Sequence, residues 1–108
     1  MSQAARYADM FAALGTEQRL EIVRRLLTAH PEGLVVGEIQ QELGMAASTL
    51  SHHLDRLKHE GLIEATRQGV YLRCRVRTET LRELLSFLYA ECCTRNQAIR
   101  PEDVVSCC

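Results

Sequence analysis

Five cysteines are the residues of this 108-residue chain whose chemistry stands out. They form two adjacent pairs, Cys92-Cys93 and Cys107-Cys108, and a singleton, Cys74. An odd count with adjacent pairs does not fit a disulfide framework, because neighbouring cysteines close only a strained bridge. The N-terminal residues lack the basic start and apolar stretch of a secretory signal, so the sequence predicts a cytoplasmic protein. In that compartment the thiols are interpreted as metal ligands or redox groups.

A basic segment is the second such feature, and the net charge of −1 for the whole chain conceals it. Residues 46–77 carry six cations, three anions and three histidines, whereas the rest of the chain is acidic. Hydroxyl groups can bind phosphates or bases, and His or Arg can reach base edges, so this segment predicts binding to double-stranded DNA. The candidate DNA-binding residues are Ser48, Thr49, Ser51, His52, Arg56, Arg67, Arg73 and Arg75.

Hydrophobic periodicity indicates which elements would position these groups. Five segments place apolar residues at helical spacing. They are residues 4–14, the segment from the Thr16 cap to His30, Val36–Leu43, Ala46–Glu60, and Thr78 to about Thr94. Between the last two, residues Ile63–Val76 alternate around Gln68-Gly69, which is typical of a β-hairpin. Its inward face would carry Val70, Leu72, Cys74 and Val76.

The order of these elements predicts a fold class. A short helix, a tight turn at Gly44, a second helix and then a hairpin are typical of a mainly α winged helix-turn-helix of order α-α-α-α-β-β-α. This domain would occupy residues 1–95, and a flexible cysteine-containing tail would follow over residues 96–108. Cys74, on the inward face of the hairpin, is interpreted as a small core residue. No apolar run is long enough to span a membrane.

Two stretches carry a resemblance to a known family, namely ALGTEQRLEIVRRLL and VVGEIQQELGMAASTLSHHLDRLKHEGLIEATRQGVYLRCRV. They resemble the ArsR/SmtB family of small dimeric metal-sensing repressors. The resemblance implies a homodimer that reads an inverted-repeat operator with the Ala46–Glu60 helix. It also implies that the first and last helices form the dimer interface, and that effector binding empties the operator.

The sensing sites of this family can be compared with the chain one at a time. A cysteine motif at the third helix is absent, because VVGEIQQELG contains neither Cys nor His. A zinc site on the last helix is absent too, because TETLRELLSFLYAECC contains no His. The resemblance to arsenic-responsive members leaves Cys92 and Cys93 as thiolate ligands for trivalent arsenic, with Cys107 or Cys108 as a third ligand. A two-thiolate site would suit a methylated arsenical, so inorganic and methylated arsenite both stay open.

Three functions are compatible with these features. The leading hypothesis is a repressor that releases DNA when trivalent arsenic binds. The alternative is a repressor of the same fold that responds to thiol oxidation or persulfides. A small thiol oxidoreductase is disfavoured, because Cys92 and Cys93 lie near the C-terminus of a predicted helix, where the dipole opposes a thiolate, and no histidine is nearby in sequence. The chain is therefore predicted not to be an enzyme.

Overall fold

The computed structural model describes residues 2–91, which fall into two compact units, residues up to Arg77 and residues from Thr78 onward. The elements are α1 (Gln3–Leu14), α2 (Glu17–Thr28), β1 (Leu34–Val35), α3 (Val36–Leu43), α4 (Ala47–His59), β2 (Ile63–Gln68), β3 (Tyr71–Val76) and α5 (Thr78–Tyr89). The winged helix-turn-helix predicted from the sequence is confirmed, with α3 and α4 as the helix pair and β2–β3 as the wing. No helix within residues 2–91 has the length and apolar character needed to cross a membrane.

Local signals set the ends of the helices. The Thr16 hydroxyl accepts a hydrogen bond of 3.2 Å from the backbone N–H of Arg19, which confirms Thr16 as the N-cap of α2. At the start of α3, the backbone N–H of Val35 donates to the Glu38 carboxylate over 2.9 Å. At its end stands Gly44, whose φ of 62° lies in the left-handed region and turns the chain toward α4.

The wing belongs to a three-stranded antiparallel sheet of order β1-β3-β2, so the prediction of a two-stranded hairpin is incomplete. The additional strand pairs Leu34 with Cys74 and Val35 with Arg73. Two residues are too few to show alternation, and therefore the sequence pattern missed β1. Gly33 leads into this strand with a φ of 73°, and a Cβ there would lie 2.0 Å from the carbonyl oxygen of Cys74. Only glycine fits that position.

The position of the hairpin turn contradicts the prediction that Val70 faces inward. Since β2 ends at Gln68 and β3 begins at Tyr71, the two-residue turn consists of Gly69 and Val70. Val70 is 85% exposed, so the prediction that it faces inward is wrong. The alternation of apolar and polar residues in the sequence extends to the tip of the wing. Val70 nevertheless stays in solvent, because it lies in the turn and not on the packed face of the sheet.

The core of the first unit is built from one face of each helix and one face of the sheet. Helix α4 contributes a stripe of leucines at i, i+4 and i+7, which is the spacing of one helix face. The largest fully buried side chains of this unit are Ile22, Leu26, Ile39, Leu50, Leu57, Leu62, Ile63 and Cys74. The interpretation of Cys74 as a small core residue is therefore confirmed.

Helix α5 is shorter than the sequence predicted. It ends at Tyr89, and Ala90 and Glu91 form a turn. The backbone N–H of Ala90 donates to the carbonyl of Phe87, three residues back, which is the tighter hydrogen bond that commonly closes a helix. The predicted continuation to about Thr94 is thus wrong for Ala90 and Glu91. The remaining predicted turn, and the domain boundary at residue 95, lie outside the described residues.

Candidate nucleic-acid interface

Helix α4 separates a buried face from a polar one. Leu50, Leu54 and Leu57 are buried and seat the helix on the core. On the other side, four predicted DNA-binding residues are all exposed: Ser48, Thr49, Ser51 and His52. Within residues 2–91 none of these four side chains makes a hydrogen bond or an ion pair; only a tilted ring contact joins His52 to His53. The polar face of α4 is therefore available to an external ligand with several hydrogen-bonding groups.

The N-terminus of α4 is also open. Its N-cap is Ala46, which has no side chain able to cap the first backbone N–H groups. The uncapped N–H groups and the positive end of the helix dipole lie next to the exposed Ser48 and Thr49. Phosphate groups of nucleic acids commonly bind at such helix starts. The lack of a capping residue at Ala46-Ala47 could have indicated this open helix start from the sequence, but hydrophobic periodicity alone does not reveal it.

Arg56, further along α4, is less available than the residues of the first turns. Its guanidinium lies 3.4 Å from the carboxylate of Glu60, one helical turn later, and its side chain is half-buried. The pair has the i,i+4 spacing at which ion pairs form on a helix. Arg56 would therefore have to leave Glu60, or share it, in order to contact DNA.

The arginines of the wing lie on two different faces. In the register of β2 and β3, Arg67 is opposite Leu72, whereas Arg73 is opposite Thr66 and Arg75 is opposite Glu64. Residues opposite each other in a sheet point to the same side. Arg67 thus projects from the side of the sheet that packs on the helices, and it is exposed near the wing tip. Arg73 and Arg75 project from the outer side.

Arg73 makes contacts within the protein that its sequence position did not indicate. Its Nε donates to the Gln68 side-chain oxygen over 2.8 Å. Its Nη1 lies 3.4 Å from the Gly33 carbonyl and 3.5 Å from the Glu32 carbonyl. These hydrogen bonds join the wing to the loop before β1, so Arg73 is half-buried rather than free in solvent.

Arg75 and Arg77 flank Glu64 on the outer side of the wing. The side-chain stem of Arg75 passes so close to Gly33 that a Cβ there would lie 2.8 Å from its Cγ. Arg77, which was not among the predicted site residues, has its Nη2 3.7 Å from the Glu64 carboxylate. Of the three predicted wing arginines, only Arg73 makes hydrogen bonds within the described range 2–91, whereas Arg67 and Arg75 have neither an ion pair nor a hydrogen bond there.

A polar contact between α2 and α4 was missed by the sequence reasoning. Nη1 of Arg19 lies 3.3 Å from Nδ1 of His53, and Nε of the same guanidinium donates to the backbone carbonyl of Ala13 near the end of α1. Burial, then Arg19, then His52 lower the pKa of His53 below its usual value. The ring is thus neutral near pH 7 and accepts at Nδ1. No spacing rule could reveal a pair separated by 34 positions.

The cysteines divide into one described residue and four others. Cys74 is buried, and its burial raises the thiol pKa against a smaller opposing effect from Lys58. Within residues 2–91, no group of three or more His, Cys, Asp and Glu side chains converges on a metal position. The four predicted ligands, Cys92, Cys93, Cys107 and Cys108, lie outside the described residues.

Comparisons with known proteins agree with this geometry. The helix-turn-helix domain family matches residues 14–66. The uncharacterized HTH-type transcriptional regulator YbzH of Bacillus subtilis is 32% identical over 95 residues, which cover 77% of this chain and 95% of that protein. The putative arsenical resistance operon repressor ArsR2 of Halobacterium salinarum is 32% identical over 80 residues, covering 74% and 66%. The solved structure of the transcriptional repressor BigR from Xylella fastidiosa superposes with a TM-score of 0.66 at 27% identity, covering 85% and 91%.

The fold, the exposed polar face of α4 and these relatives define a winged-helix, DNA-binding transcriptional regulator. The chain belongs to the ArsR/SmtB family of such regulators. Its relatives are named as regulators of transcription rather than as enzymes, so the thiol oxidoreductase hypothesis is set aside.

Proposed function

We propose that this regulator is a homodimeric repressor that binds an inverted-repeat operator and releases it when trivalent arsenic binds to cysteine thiolates. The DNA-binding part of the proposal is carried by one observation, the row of unpartnered polar side chains on the exposed face of α4. Those side chains are Ser48, Thr49, Ser51 and His52.

The chemistry of this face suits the major groove. Small hydroxyl residues at the start of α4 allow close approach and can bond to phosphates or bases, and the uncapped helix start favours a phosphate. His52 can reach a base edge. Arg67, on the helix-facing side of the wing, supplies a cation for the backbone beside the groove, and Arg56, Arg73 and Arg75 complete the candidate set.

The effector part of the proposal rests on the distribution of thiols. A thiolate is the metal-binding form, and burial raises the pKa of Cys74, which therefore stays protonated in the core. The candidates are then Cys92 and Cys93, with Cys107 or Cys108 as a third ligand. Soft thiolates favour soft ions, and trivalent arsenic accepts two or three of them. The similarity to a putative arsenical resistance operon repressor supports the same choice.

Release would follow from the geometry of a dimer on DNA. Two α4 helices must enter the major groove about 34–36 Å apart, or a multiple of that distance. Cys92 and Cys93 follow α5, which the family resemblance places in the dimer interface, so a ligand held there would change the spacing of the two helices. A coupling of about 1–3 kcal/mol would be typical of such an effect.

The test is fluorescence anisotropy on an operator duplex that the protein itself selects from a randomised inverted-repeat library, titrated with arsenite, methylarsenite, zinc and cadmium. Arsenite or methylarsenite should release the wild-type protein. The double variant Cys92→Ser/Cys93→Ser should bind the duplex with unchanged affinity and should not respond to either arsenical. Release by zinc or cadmium alone would overturn the arsenic assignment.

A matched variant and a second treatment separate the alternatives. Cys107→Ser/Cys108→Ser should weaken the response to arsenite if one of these residues is the third ligand, and should leave the response to methylarsenite unchanged. Peroxide or polysulfide without any arsenical should have no effect. If oxidation releases the DNA and arsenicals do not, the regulator is a thiol redox or persulfide switch instead.

A further inference from the structure

A single guanidinium on α2 makes polar contacts with both α1 and α4. Arg19 donates from Nε to the carbonyl of Ala13 at the end of α1, and its Nη1 lies 3.3 Å from Nδ1 of His53 on α4. The backbone of Arg19 is itself held, because its N–H donates to the Thr16 cap. The Arg19 side chain on α2 therefore contacts both α1 and α4, and the Thr16 cap holds the backbone of Arg19 at the start of α2.

The position of His53 on α4 links this contact to the polar face of the helix. His53 is half-buried and lies between His52, on the polar face, and the buried Leu54. The rings of His52 and His53 are tilted against each other, with centroids 6.1 Å apart. A change in how His53 sits against α2 is therefore transmitted to the face of α4 that carries the candidate base-contacting groups.

We infer that Arg19 and His53 are positioning residues for DNA recognition, and that the neutral His53 ring, by accepting from Arg19, holds α4 in the orientation that fits the major groove. This inference rests on the proposed use of α4 as the reading helix. Protonation places a proton on Nδ1, so the acceptor is lost and two cations face each other. The contact then opens, and the affinity for DNA falls.

The charged groups that act on His53 are few. From α2 it is Arg19, from α4 it is the neighbouring His52, and α1 contributes the Ala13 carbonyl that orients the guanidinium. Both charged groups, and burial before them, lower the pKa of His53. Its contribution to folding is therefore complete above the ordinary histidine pKa and decreases as the pH falls from that value to the lowered one. The affinity for DNA should decrease as the pH falls through the lowered pKa, because His53 of the folded protein takes up its proton there.

The other histidines of α4 provide the control for the test. His52 and His59 are exposed on α4, and neither has a hydrogen bond to Arg19. A variant at one of these positions keeps the contact between Arg19 and His53 while it changes the histidine content of the same helix. A comparison of such a variant with a His53 variant over a range of pH isolates the contribution of the contact.

The decisive variant is His53→Asn. The asparagine side-chain oxygen occupies nearly the position of Nδ1, so it accepts from Arg19 without titrating, and the helix propensity of Asn is close to that of His. His52→Asn is the matched control one residue away, because His52 has no hydrogen bond to Arg19. Operator affinity is measured by anisotropy at about pH 8 and in steps down to about pH 5, because the pKa of His53 lies below the ordinary histidine value.

The two variants should differ in how their affinity for the operator changes with pH. His53→Asn should match the wild-type affinity at the higher pH and exceed it about three- to tenfold at the lower pH, a change typical of one hydrogen bond. His52→Asn should instead keep the loss of affinity toward lower pH that the wild type shows, because its contact between Arg19 and His53 is intact. Identical profiles for His53→Asn and the wild type would overturn the inference.

A variant of Arg19 and the duplex selection by the wild-type protein distinguish a failure of this inference from a failure of the proposed function. Arg19→Lys, which keeps the charge but lacks the two-pronged donor, should weaken binding about threefold at the higher pH, with the fold checked by circular dichroism. If Arg19→Lys is folded and binds like the wild type, the positioning role is overturned. If the wild type itself selects no duplex at the higher pH, the proposed function fails, and that outcome is distinct from wild-type binding with no effect of His53→Asn.

Discussion

The two candidate DNA-binding regions of the molecule, helix α4 and the wing, are built on different principles. Helix α4 is held by buried leucines on one side, so the polar side chains of its first turns need no internal partners, and Ser48, Thr49 and Ser51 make no hydrogen bonds within residues 2–91. The wing has little buried surface toward its tip and is held by strand pairing and by Arg73. A candidate DNA-binding residue, Arg73, is therefore used for structure in the wing, whereas the candidate residues in the first turns of α4 are not.

A shared residue type therefore does not imply a shared role in this protein. Arg67 and Arg73 are both wing arginines, yet Arg67 is exposed without a partner in residues 2–91 and Arg73 binds two carbonyls of the preceding loop. Conversely, of the two adjacent histidines on α4, His52 faces solvent and His53 contacts Arg19. Position relative to the core decides which of the two is available to DNA.

The largest expected effect concerns the attachment of the wing. Gly33→Ala forces a Cβ to within 2.0 Å of the Cys74 carbonyl at a φ of 73°, and should lower the free energy of unfolding by about 3 kcal/mol. Gly69→Ala is the matched control, because its φ of 65° is similar and no atom lies within 4 Å of the added Cβ. It should cost about 1 kcal/mol. Urea denaturation measures both, and equal losses would mean that β1 does not anchor the wing.

A middle-sized effect separates the two wing arginines by salt dependence. Arg67→Ala should weaken operator binding about fivefold and reduce the slope of log affinity against log salt by about one, because one phosphate contact is lost. Arg73→Ala should weaken binding without changing this slope, because it loosens the wing rather than removing a phosphate contact. Anisotropy titrations at several salt concentrations measure both slopes. A reduced slope for Arg73→Ala would show that it contacts phosphate as well.

The smallest expected effect concerns Arg56, the one α4 residue of the candidate set that has an internal ion pair. Glu60→Gln releases its guanidinium, and should cost about 0.3–0.5 kcal/mol of stability while strengthening operator binding about twofold. Glu42→Gln is the control, because it removes the same charge but releases Arg25, which is outside the candidate set. Equal gains in affinity for the two variants would mean that only net charge matters and that Arg56 makes no direct contact.

Much of the architecture could be predicted because it depends on local patterns. The leucine stripe, Thr16 and Gly44 predict where α2, α3 and α4 begin and end, and the structure agrees to within a residue at most of these positions. Alternation predicts the wing. The errors fall where a pattern continues without a packing partner, as at Val70, or where an element is too short to have a pattern, as in β1.

The sequence by itself determined the winged helix-turn-helix, the polar face of α4 and the interpretation of Cys74 as a core residue, because periodicity and burial are properties of neighbouring residues. Only the tertiary structure decided that Arg73 holds the wing, that Arg67 lies on the opposite face, and that Arg19 meets His53. Those roles depend on strand register and on contacts between residues far apart in the chain. No local spacing encodes such contacts, since they form only when separate elements pack against one another.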